Sequence, residues 1–181
     1  MHDRDADPRR LGQGRFLELW ARGRWEYAVR TEGRGARGAI AVIATTDAPE
    51  LVLVEQWRAS YNRTTIELPA GLVGDDSATA EEPLLDAAQR ELEEETGFRA
   101  RNWRLLCSAA SSPGLARESI SVFRATHLTR IGPGGGTPEE GIAVHRVRLD
   151  ALLGWLTVQQ ANGKPIDIKV WYAAAVLASE R

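Results

Sequence analysis

The segment at residues 90–98, RELEEETGF, constrains the fold of this chain more than any other stretch. Pro83 stands before it and Gly97 closes it, and Pro at the start with Gly just past the end is the usual asymmetry of an α-helix. An apolar stripe runs along the same stretch and consists of Leu84, Ala87, Ala88 and Leu92. The pattern therefore predicts a helix over residues 83–96 that packs one face against a core.

The opposite face of this predicted helix is crowded with carboxylates. Glu91 faces both Glu94 and Glu95, because side chains three and four residues apart are neighbours on a helix, and like charges at that spacing repel. Only Arg90 and Arg99 stand nearby to balance them. Spacing alone leaves two interpretations open: a solvated helix face, or a site for Mg²⁺ or Mn²⁺, which take carboxylate and phosphate oxygens.

The rest of the chain is mostly β before the helix, and β followed by α after it. Strand patterns occur at 15–33, 38–46, 50–58, 64–71, 103–110, 119–129 and 142–149, and two further helices follow. This order predicts an α/β fold, an α/β/α sandwich with a mixed β-sheet. We expect a disordered tail at 1–14, N-terminal strands at 15–37 and one domain at 38–181.

Charge and hydropathy exclude several classes of protein. The net charge of −2 comes with no dense basic face, so we expect no nucleic-acid partner. No apolar run approaches the ~18 residues that span a membrane and no signal peptide is visible, so we expect no membrane partner. The single cysteine, Cys107, allows no disulfide within the chain, which predicts a reducing and therefore cytoplasmic location.

The stretch from Gly71 to Phe98 resembles the Nudix box. Glu82, seven residues and then RELEEETGF match its pattern, whereas Gly71 stands eleven positions before Glu82 where the pattern has six. The chain is thus similar to the Nudix hydrolase superfamily, which implies the Nudix fold, here with an N-terminal β extension. Glu82 would either approach the metal site or complement the positive end of the helix dipole.

The resemblance implies that the crowded helix face binds metal ions. It implies metal ligands at the backbone carbonyl of Ala70 and at the side chains of Glu91, Glu94 and Glu95. The implied cofactor is Mg²⁺, or Mn²⁺ in its place, with two or three ions per site. Arg90 would orient these carboxylates by charge-assisted hydrogen bonds, and Arg90 and Glu94 both belong to the implied catalytic set.

Three flanking segments resemble the ADP-ribose and nucleoside diphosphate sugar pyrophosphatase branch of this superfamily. ELPAG stands directly before the box, VEQWR lies at 54–58, and Ser-Pro-Gly lies at 112–114. The resemblance makes Arg58 a phosphate contact, since a guanidinium binds two phosphate oxygens at once. It places Pro113 in a specificity loop, with a plain turn as the alternative. It places Glu118 against substrate or metal, with a solvated side chain as the alternative.

The segment GRWEYAVRT at 23–31 resembles the N-terminal strand of the same branch. The resemblance implies that Trp25 stacks on the base, that Glu26 accepts a hydrogen bond from it, and that Arg30 completes this site. A plain core tryptophan is the alternative for Trp25. In this branch the strand often reaches into a partner subunit, so a homodimer is implied.

The segment GPGGGTPEE at 132–140 resembles a loop that delivers a catalytic glutamate. Its spacing to the following strand assigns that role to Glu140, with Glu139 as the near substitute and a solvated loop tip as the alternative. Three consecutive glycines give backbone freedom. We therefore expect the loop to be poorly ordered without substrate and to close over it.

Together these resemblances imply an enzyme with a small-molecule nucleotide-sugar substrate. The implied reaction is metal-dependent hydrolysis of the pyrophosphate bond in ADP-ribose or a related nucleoside diphosphate sugar, giving nucleoside monophosphate and sugar phosphate. Hydrolysis of nucleoside triphosphates or dinucleoside polyphosphates is the alternative within enzymes. A non-catalytic regulator that binds nucleotide sugars is the alternative from another class.

Overall fold

The computed structural model describes residues 3–31, 37–74 and 81–180. A short 3-10 helix lies at Asp3–Asp5, and the strands before the first α-helix are β1 Arg9–Gln13, β2 Leu17–Arg22, β3 Trp25–Arg30, β4 Ala39–Ala44, β5 Glu50–Arg58, β6 Arg63–Glu67 and β7 Ala70–Leu72. The remaining elements are α1 Leu84–Thr96, β8 Phe98–Ala110, β9 Ser119–Arg130, β10 Ala143–Arg148, α2 Leu152–Ala161 and α3 Ile168–Ser179. None of the helices in the described ranges has the length and apolarity to cross a lipid bilayer.

Two parts of the predicted organisation lie outside the described residues. They are residues 32–36 of the N-terminal segment, and residues 75–80 of the long connection between Gly71 and Glu82. The conformation that the extra residues give to this connection therefore stays a prediction.

The N-terminal strands form an antiparallel sheet of their own, in the order β1-β2-β3. The prediction of a disordered tail at 1–14 is therefore wrong for Arg9–Gln13, which forms β1. All of β1 is exposed, so no alternation of apolar residues marks it in the sequence, and its backbone pairs with β2. Strand β3 attaches this sheet to the body, because the Ala28 N–H donates to the Leu115 carbonyl at 2.8 Å.

Two further sheets form the body, in the orders β7-β4-β9-β8 and β10-β5-β6. Strands β4 and β9 are parallel and β4 and β7 are antiparallel, so the sheet is mixed as predicted. The strand predicted at 64–71 is divided into β6 and β7. Pro69 has no N–H and lies where the chain passes from one sheet to the other, and its carbonyl accepts from the Val42 N–H at 2.9 Å.

Strand β4 separates two hydrophobic cores, because successive side chains of a strand point to opposite faces. Ala41 and Ile43 pack in the core that α2 and α3 cover. Ile40, Val42 and Ala44 pack in the core that α1 covers. Helices therefore cover both sides of the sheets, which confirms the predicted α/β/α sandwich.

Helix α1 begins and ends where the sequence predicts. Pro83 is its N-cap, and Gly97 ends it in the left-handed conformation with φ 71°, donating its N–H to the Glu93 carbonyl at 2.9 Å. Ala87, Ala88 and Leu92 are fully buried. Helix α1 also packs against β7, so its acidic residues meet the short strand that follows Pro69.

Candidate active site

Arg90 is the hub of the acidic face of α1. Its Nε and Nη2 donate to Glu82 at 3.0 and 3.2 Å. Its Nη1 donates to Glu91 at 2.7 Å and to Glu94 at 3.1 Å. The hydrogen bonds to Glu82 raise the pKa of the Arg90 guanidinium, burial opposes the rise, and the charge of Glu91 adds to it. One arginine therefore draws three carboxylates together, as its planar set of donors allows.

Glu95 is the buried carboxyl of the group, with 6% of its surface exposed. Its Oε2 accepts a hydrogen bond from the Ala70 N–H at 3.1 Å. Burial raises the pKa of the Glu95 carboxyl to about 8, and the hydrogen bond from Ala70 opposes the rise. The charge of Glu91 raises this pKa further, that of Arg58 lowers it, and that of Glu140 raises it. A cation nearby would favour the charged form of this carboxyl.

Strand β7 touches α1 through a glycine. A Cβ on Gly71 would overlap the carboxyl group of Glu91, so the missing side chain leaves room for that carboxylate. The preceding residue, Ala70, is the one that donates to Glu95. Two consecutive residues of β7 therefore hold two carboxyl groups of α1 against the strand.

A cleft of about 730 Å³ borders the same strand. Ala70 and Gly71 line it, and two arginines reach its wall from other strands. Arg58 of β5 forms a double hydrogen bond with Glu67, at 2.7 Å for each contact. Arg30 of β3 donates to Glu118 at 2.7 Å. The cleft thus carries guanidinium groups beside the strand that anchors the acids, an arrangement suited to a substrate with phosphate oxygens.

The glycine-rich loop caps the C-terminal end of α1. The Gly135 N–H donates to the Glu95 carbonyl at 2.8 Å, and the Gly136 N–H donates to the Glu94 carbonyl at 3.0 Å. These bonds satisfy carbonyls that have no partner within the helix. The glycines of the loop thus allow close backbone approach to α1, and the expectation that the loop orders only when substrate binds stays a prediction.

Glu140 follows in the same loop. Its Oε2 accepts from the Thr137 N–H at 2.8 Å, and its charge acts on the pKa of Glu95. Glu139 is exposed, as is Glu140. The structure therefore relates Glu140 to the acids of α1 through both the loop and its charge.

A protein-family model matches the sequence of this chain. The model described as NUDIX domain covers residues 35–175, which is most of the chain. This chain belongs to the NUDIX family. The matched range includes α1 and β7, and the resemblance to the ADP-ribose pyrophosphatase branch is confirmed by the relatives below.

Several known proteins are similar to this NUDIX chain. The ADP-ribose pyrophosphatase of Mycobacterium tuberculosis (strain ATCC 25618 / H37Rv) is 37% identical over 124 residues, which are 68% of this chain and 54% of that protein. The ADP-ribose pyrophosphatase of Bacillus subtilis (strain 168) is 41% identical over 92 residues, which are 51% of this chain and 47% of that protein. The match thus spans about half the length of both pyrophosphatases.

A protein named as an activator and a solved structure are also similar to this chain. The methanol dehydrogenase activator of Bacillus methanolicus is 35% identical over 136 residues, which are 75% of this chain and 71% of that protein. A crystal structure of an ADP compounds hydrolase superposes with a TM-score of 0.69 at 18% identity, covering 96% of this chain and 92% of that one. This likeness shows the fold.

NUDIX hydrolases generally depend on a divalent metal, and the residues present suit one. The donors are hard carboxylate oxygens on one helix face, with a glycine that leaves room for Glu91, and both features fit Mg²⁺. Across 3–31, 37–74 and 81–180, no three acidic, histidine or cysteine side chains are already placed so that they could hold a metal ion. Arg90 engages Glu91 and Glu94 instead, so these two carboxylates would have to turn toward a cation.

Two of the three predicted base-binding residues, Trp25 and Glu26, do not line the cleft within one chain. Trp25 is 62% exposed with the Arg24 guanidinium 5.1 Å from its ring centre, and Glu26 is exposed as well. Trp25 is therefore not the core tryptophan that was the alternative. Arg30 does line the cleft, and Pro113 lines a neighbouring one of about 650 Å³ that shares Arg30.

Several residues that line the cleft were not predicted from the sequence to have a function. Glu67, Tyr61 and the start of α3 around Asp167 and Lys169 line it without having been assigned a role. Glu67 belongs to the ELPAG segment, and this position was the only signal that pointed to it. Asp167 caps α3 by accepting from the Lys169 N–H at 2.7 Å, a local contact that carries no functional signature.

Proposed function

We propose that this NUDIX protein hydrolyses the pyrophosphate bond of a nucleoside diphosphate sugar, ADP-ribose or a close relative, to nucleoside monophosphate and sugar phosphate. One observation carries the proposal: strand β7 contacts the acids of α1 through Ala70 and Gly71, and the same two residues line the arginine-bearing cleft. Two relatives that bear the name ADP-ribose pyrophosphatase support the choice of substrate.

The proposed cofactor is Mg²⁺, or Mn²⁺ in its place, with two or three ions per site. Its ligands would be the Ala70 carbonyl and the carboxylates of Glu91, Glu94 and Glu95. When bound, such ions neutralise phosphate charge and lower the pKa of bound water. Arg90 would keep its two hydrogen bonds with Glu82, which would hold the N-terminal end of the acidic helix face in place.

The side chains of the cleft would bind and orient the diphosphate. Arg58 and Arg30 donate to phosphate oxygens, which develop charge as the phosphorus is attacked. Water attacks one phosphorus, the bridging P–O bond breaks, and the proton of the water passes to Glu140, with Glu139 as the substitute base. Glu118, which also lines the cleft, would hold Arg30 toward the substrate.

The base subsite is proposed to form between two copies of the chain. Trp25 and Glu26 are exposed on the hairpin of β2 and β3, where they are free to meet the cleft of a partner subunit. Pro113, in the loop beside β3, would narrow the entrance. A homodimer is therefore part of the proposal, as is a cytoplasmic location, which the lone Cys107 supports.

The test is a substrate screen with product analysis. ADP-ribose, ADP-glucose, GDP-mannose and UDP-glucose are incubated with Mg²⁺, Mn²⁺ or a chelator, and nucleoside monophosphate is measured by chromatography. We expect metal-dependent release from at least one of them and little from nucleoside triphosphates or dinucleoside polyphosphates. Preference for the latter two would assign the alternative enzyme class.

A non-catalytic regulator is the second candidate, because one relative is named as an activator of methanol dehydrogenase. This function predicts saturable binding of a nucleotide sugar without monophosphate release at any metal concentration. Calorimetric titration of the same four compounds beside the activity screen separates the two functions.

A further inference from the structure

Glu67 forms a two-point ion pair at the wall of the cleft and has no role in the proposed reaction as described above. Both of its oxygens accept from Arg58, with Nε and Nη2 each at 2.7 Å. The Glu67 side chain is 7% exposed and that of Arg58 is 43% exposed. The carboxylate is therefore inside the protein, and the guanidinium it holds extends from that buried group to the cleft.

The carboxylate of Glu67 is itself held. The hydroxyl of Thr65, a residue that is 4% exposed, donates to Oε1 of Glu67. Thr65 and Glu67 are two residues apart on β6, so their side chains share one face of the strand. Rotation of the Glu67 carboxylate would break three hydrogen bonds. The carboxylate therefore holds the Arg58 guanidinium in one orientation.

We propose that Glu67, held by Thr65, is a positioning residue that presents Arg58 to the diphosphate of the substrate; this inference rests on the proposed function. A guanidinium carries five N–H donors. The double contact with Glu67 uses two and leaves three for phosphate oxygens. Because the Arg58 guanidinium is already oriented, its side chain loses less conformational entropy when substrate binds.

A purely structural ion pair is the competing explanation, since a buried carboxylate needs a partner in any case. Two features favour positioning. Arg58 is far more exposed than its partner, and it lines the cleft beside Ala70 and Gly71. Glu67 raises the pKa of Arg58, burial opposes this, and the charges of Glu95 and Asp167 add to it.

The test is a double-mutant cycle on kcat/KM for ADP-ribose under saturating Mg²⁺. Glu67→Ala in the wild-type background should lower kcat/KM about tenfold or more, the value of a hydrogen bond to a charged group. In an Arg58→Ala background the same change should cost less than about twofold, because Glu67 would act through Arg58. An equal loss in both backgrounds overturns the proposal.

Further variants separate positioning from folding. Glu67→Gln and Thr65→Val each remove part of the hydrogen bonding that orients Arg58, with little change in side-chain volume. They replace Glu67→Ala if that variant does not fold. Each should lower kcat/KM with an unfolding temperature close to that of the wild type. Asp150→Asn is the control, because Asp150 accepts from Arg148 at 3.1 and 2.6 Å through the same two nitrogens, Nε and Nη2, but in an exposed pair outside the cleft, and it should leave kcat/KM unchanged.

An equilibrium measurement keeps the two proposals distinguishable. The Kd for ADP, whose diphosphate is the group that Arg58 would bind, is measured by calorimetry for the four members of the cycle. Coupling between Glu67 and Arg58 in this Kd supports positioning even if no nucleotide sugar is hydrolysed, an outcome that would overturn only the proposed function. Independent effects of the two changes on the Kd overturn the positioning role.

Discussion

The backbone N–H of Ala70 donates to Oε2 of Glu95 at 3.1 Å, so the strand that borders the cleft is tied to the buried carboxyl of α1. The next residue, Gly71, lies so close to Glu91 that a side chain there would overlap its carboxyl group. The acidic helix and the substrate cleft therefore share two consecutive backbone positions. Changes on either side of this junction should affect metal binding and catalysis together.

Glu95→Gln should lower kcat by at least about a hundredfold, since one preorganised electrostatic contact at a reacting centre is worth roughly 10²–10³. The amide keeps the size of the side chain and an oxygen for the Ala70 N–H, so the fold should be retained. Steady-state rates over a range of Mg²⁺ concentrations, with circular dichroism, check both statements.

Glu93→Gln is the control on the same helix. Glu93 pairs with Arg99 on the exposed side, at 2.6 and 2.9 Å, and has no contact with the cleft among its hydrogen bonds. It should retain activity within about twofold, because exposed ion pairs contribute little. Near wild-type turnover in Glu95→Gln would remove Glu95 from the metal site.

The sequence predicts local features well and long-range partners poorly. Pro83 and Gly97 mark the ends of α1 because both act on the backbone where they stand. The three glycines before Thr137 predicted a mobile loop, whereas two of them, Gly135 and Gly136, donate to carbonyls of α1 about 40 positions earlier in the chain. The contact of Arg58 with Glu67 was missed for the same reason, because strand register decides which side chains meet.

Gly71→Ala tests whether the space beside β7 matters for metal binding. The added Cβ would displace the end of the flexible Glu91 side chain, which costs the fold little. We expect kcat/KM to fall about tenfold or more, as for changes in groups that support metal ligands, and the Mg²⁺ concentration for half-maximal rate to rise. Gly154→Ala, at a position open on all sides, is the control and should change neither.

Glu140→Gln should lower kcat by about 10²–10⁴, the usual contribution of a general base, with KM within a small factor. The charge of Glu140 acts on Glu95, and the side chains of two adjacent residues point in different directions, so Glu139→Gln should be nearly silent. Rates at saturating ADP-ribose decide between them. Silence of both variants would move the base to Glu94 or Glu118.

Glu55 should make stability depend on pH. Burial raises its pKa, but hydrogen bonds from Lys164, Thr64 and His145 outweigh this and hold the pKa below the usual 4.5. The folded-state pKa is thus lowered, so this stabilisation is present above pH 4.5 and is lost as pH falls through the folded-state value. Urea unfolding should show Glu55→Gln less stable than wild type by roughly 1 kcal/mol at pH 7.

The same comparison at a pH below the folded-state pKa should find the two proteins nearly equal, because the carboxyl is then protonated in both states. Asp150→Asn, which removes an exposed carboxylate, should follow the wild-type curve. A constant difference between Glu55→Gln and wild type across the whole range would mean that packing, and not charge, accounts for the effect.

Trp25→Ala should raise KM for ADP-ribose about tenfold or more with little change in kcat, because stacking on a base is worth roughly 1–3 kcal/mol and acts equally on substrate and transition state. The side chain is 62% exposed, so its removal should leave the unfolding temperature unchanged. An unchanged KM would remove Trp25 from the base subsite.

Mixing two defective subunits tests whether Trp25 acts across a dimer. A heterodimer of Trp25→Ala with Glu95→Gln holds one subunit with an intact acidic helix and one with an intact tryptophan. If Trp25 serves the partner's cleft, the two combine into one complete site, and the mixture should regain a low KM at a fraction of the wild-type rate. If Trp25 serves its own cleft, both sites stay defective and mixing restores nothing. Light scattering of each variant alone establishes that dimers form, and a fully active monomer would contradict the shared base subsite.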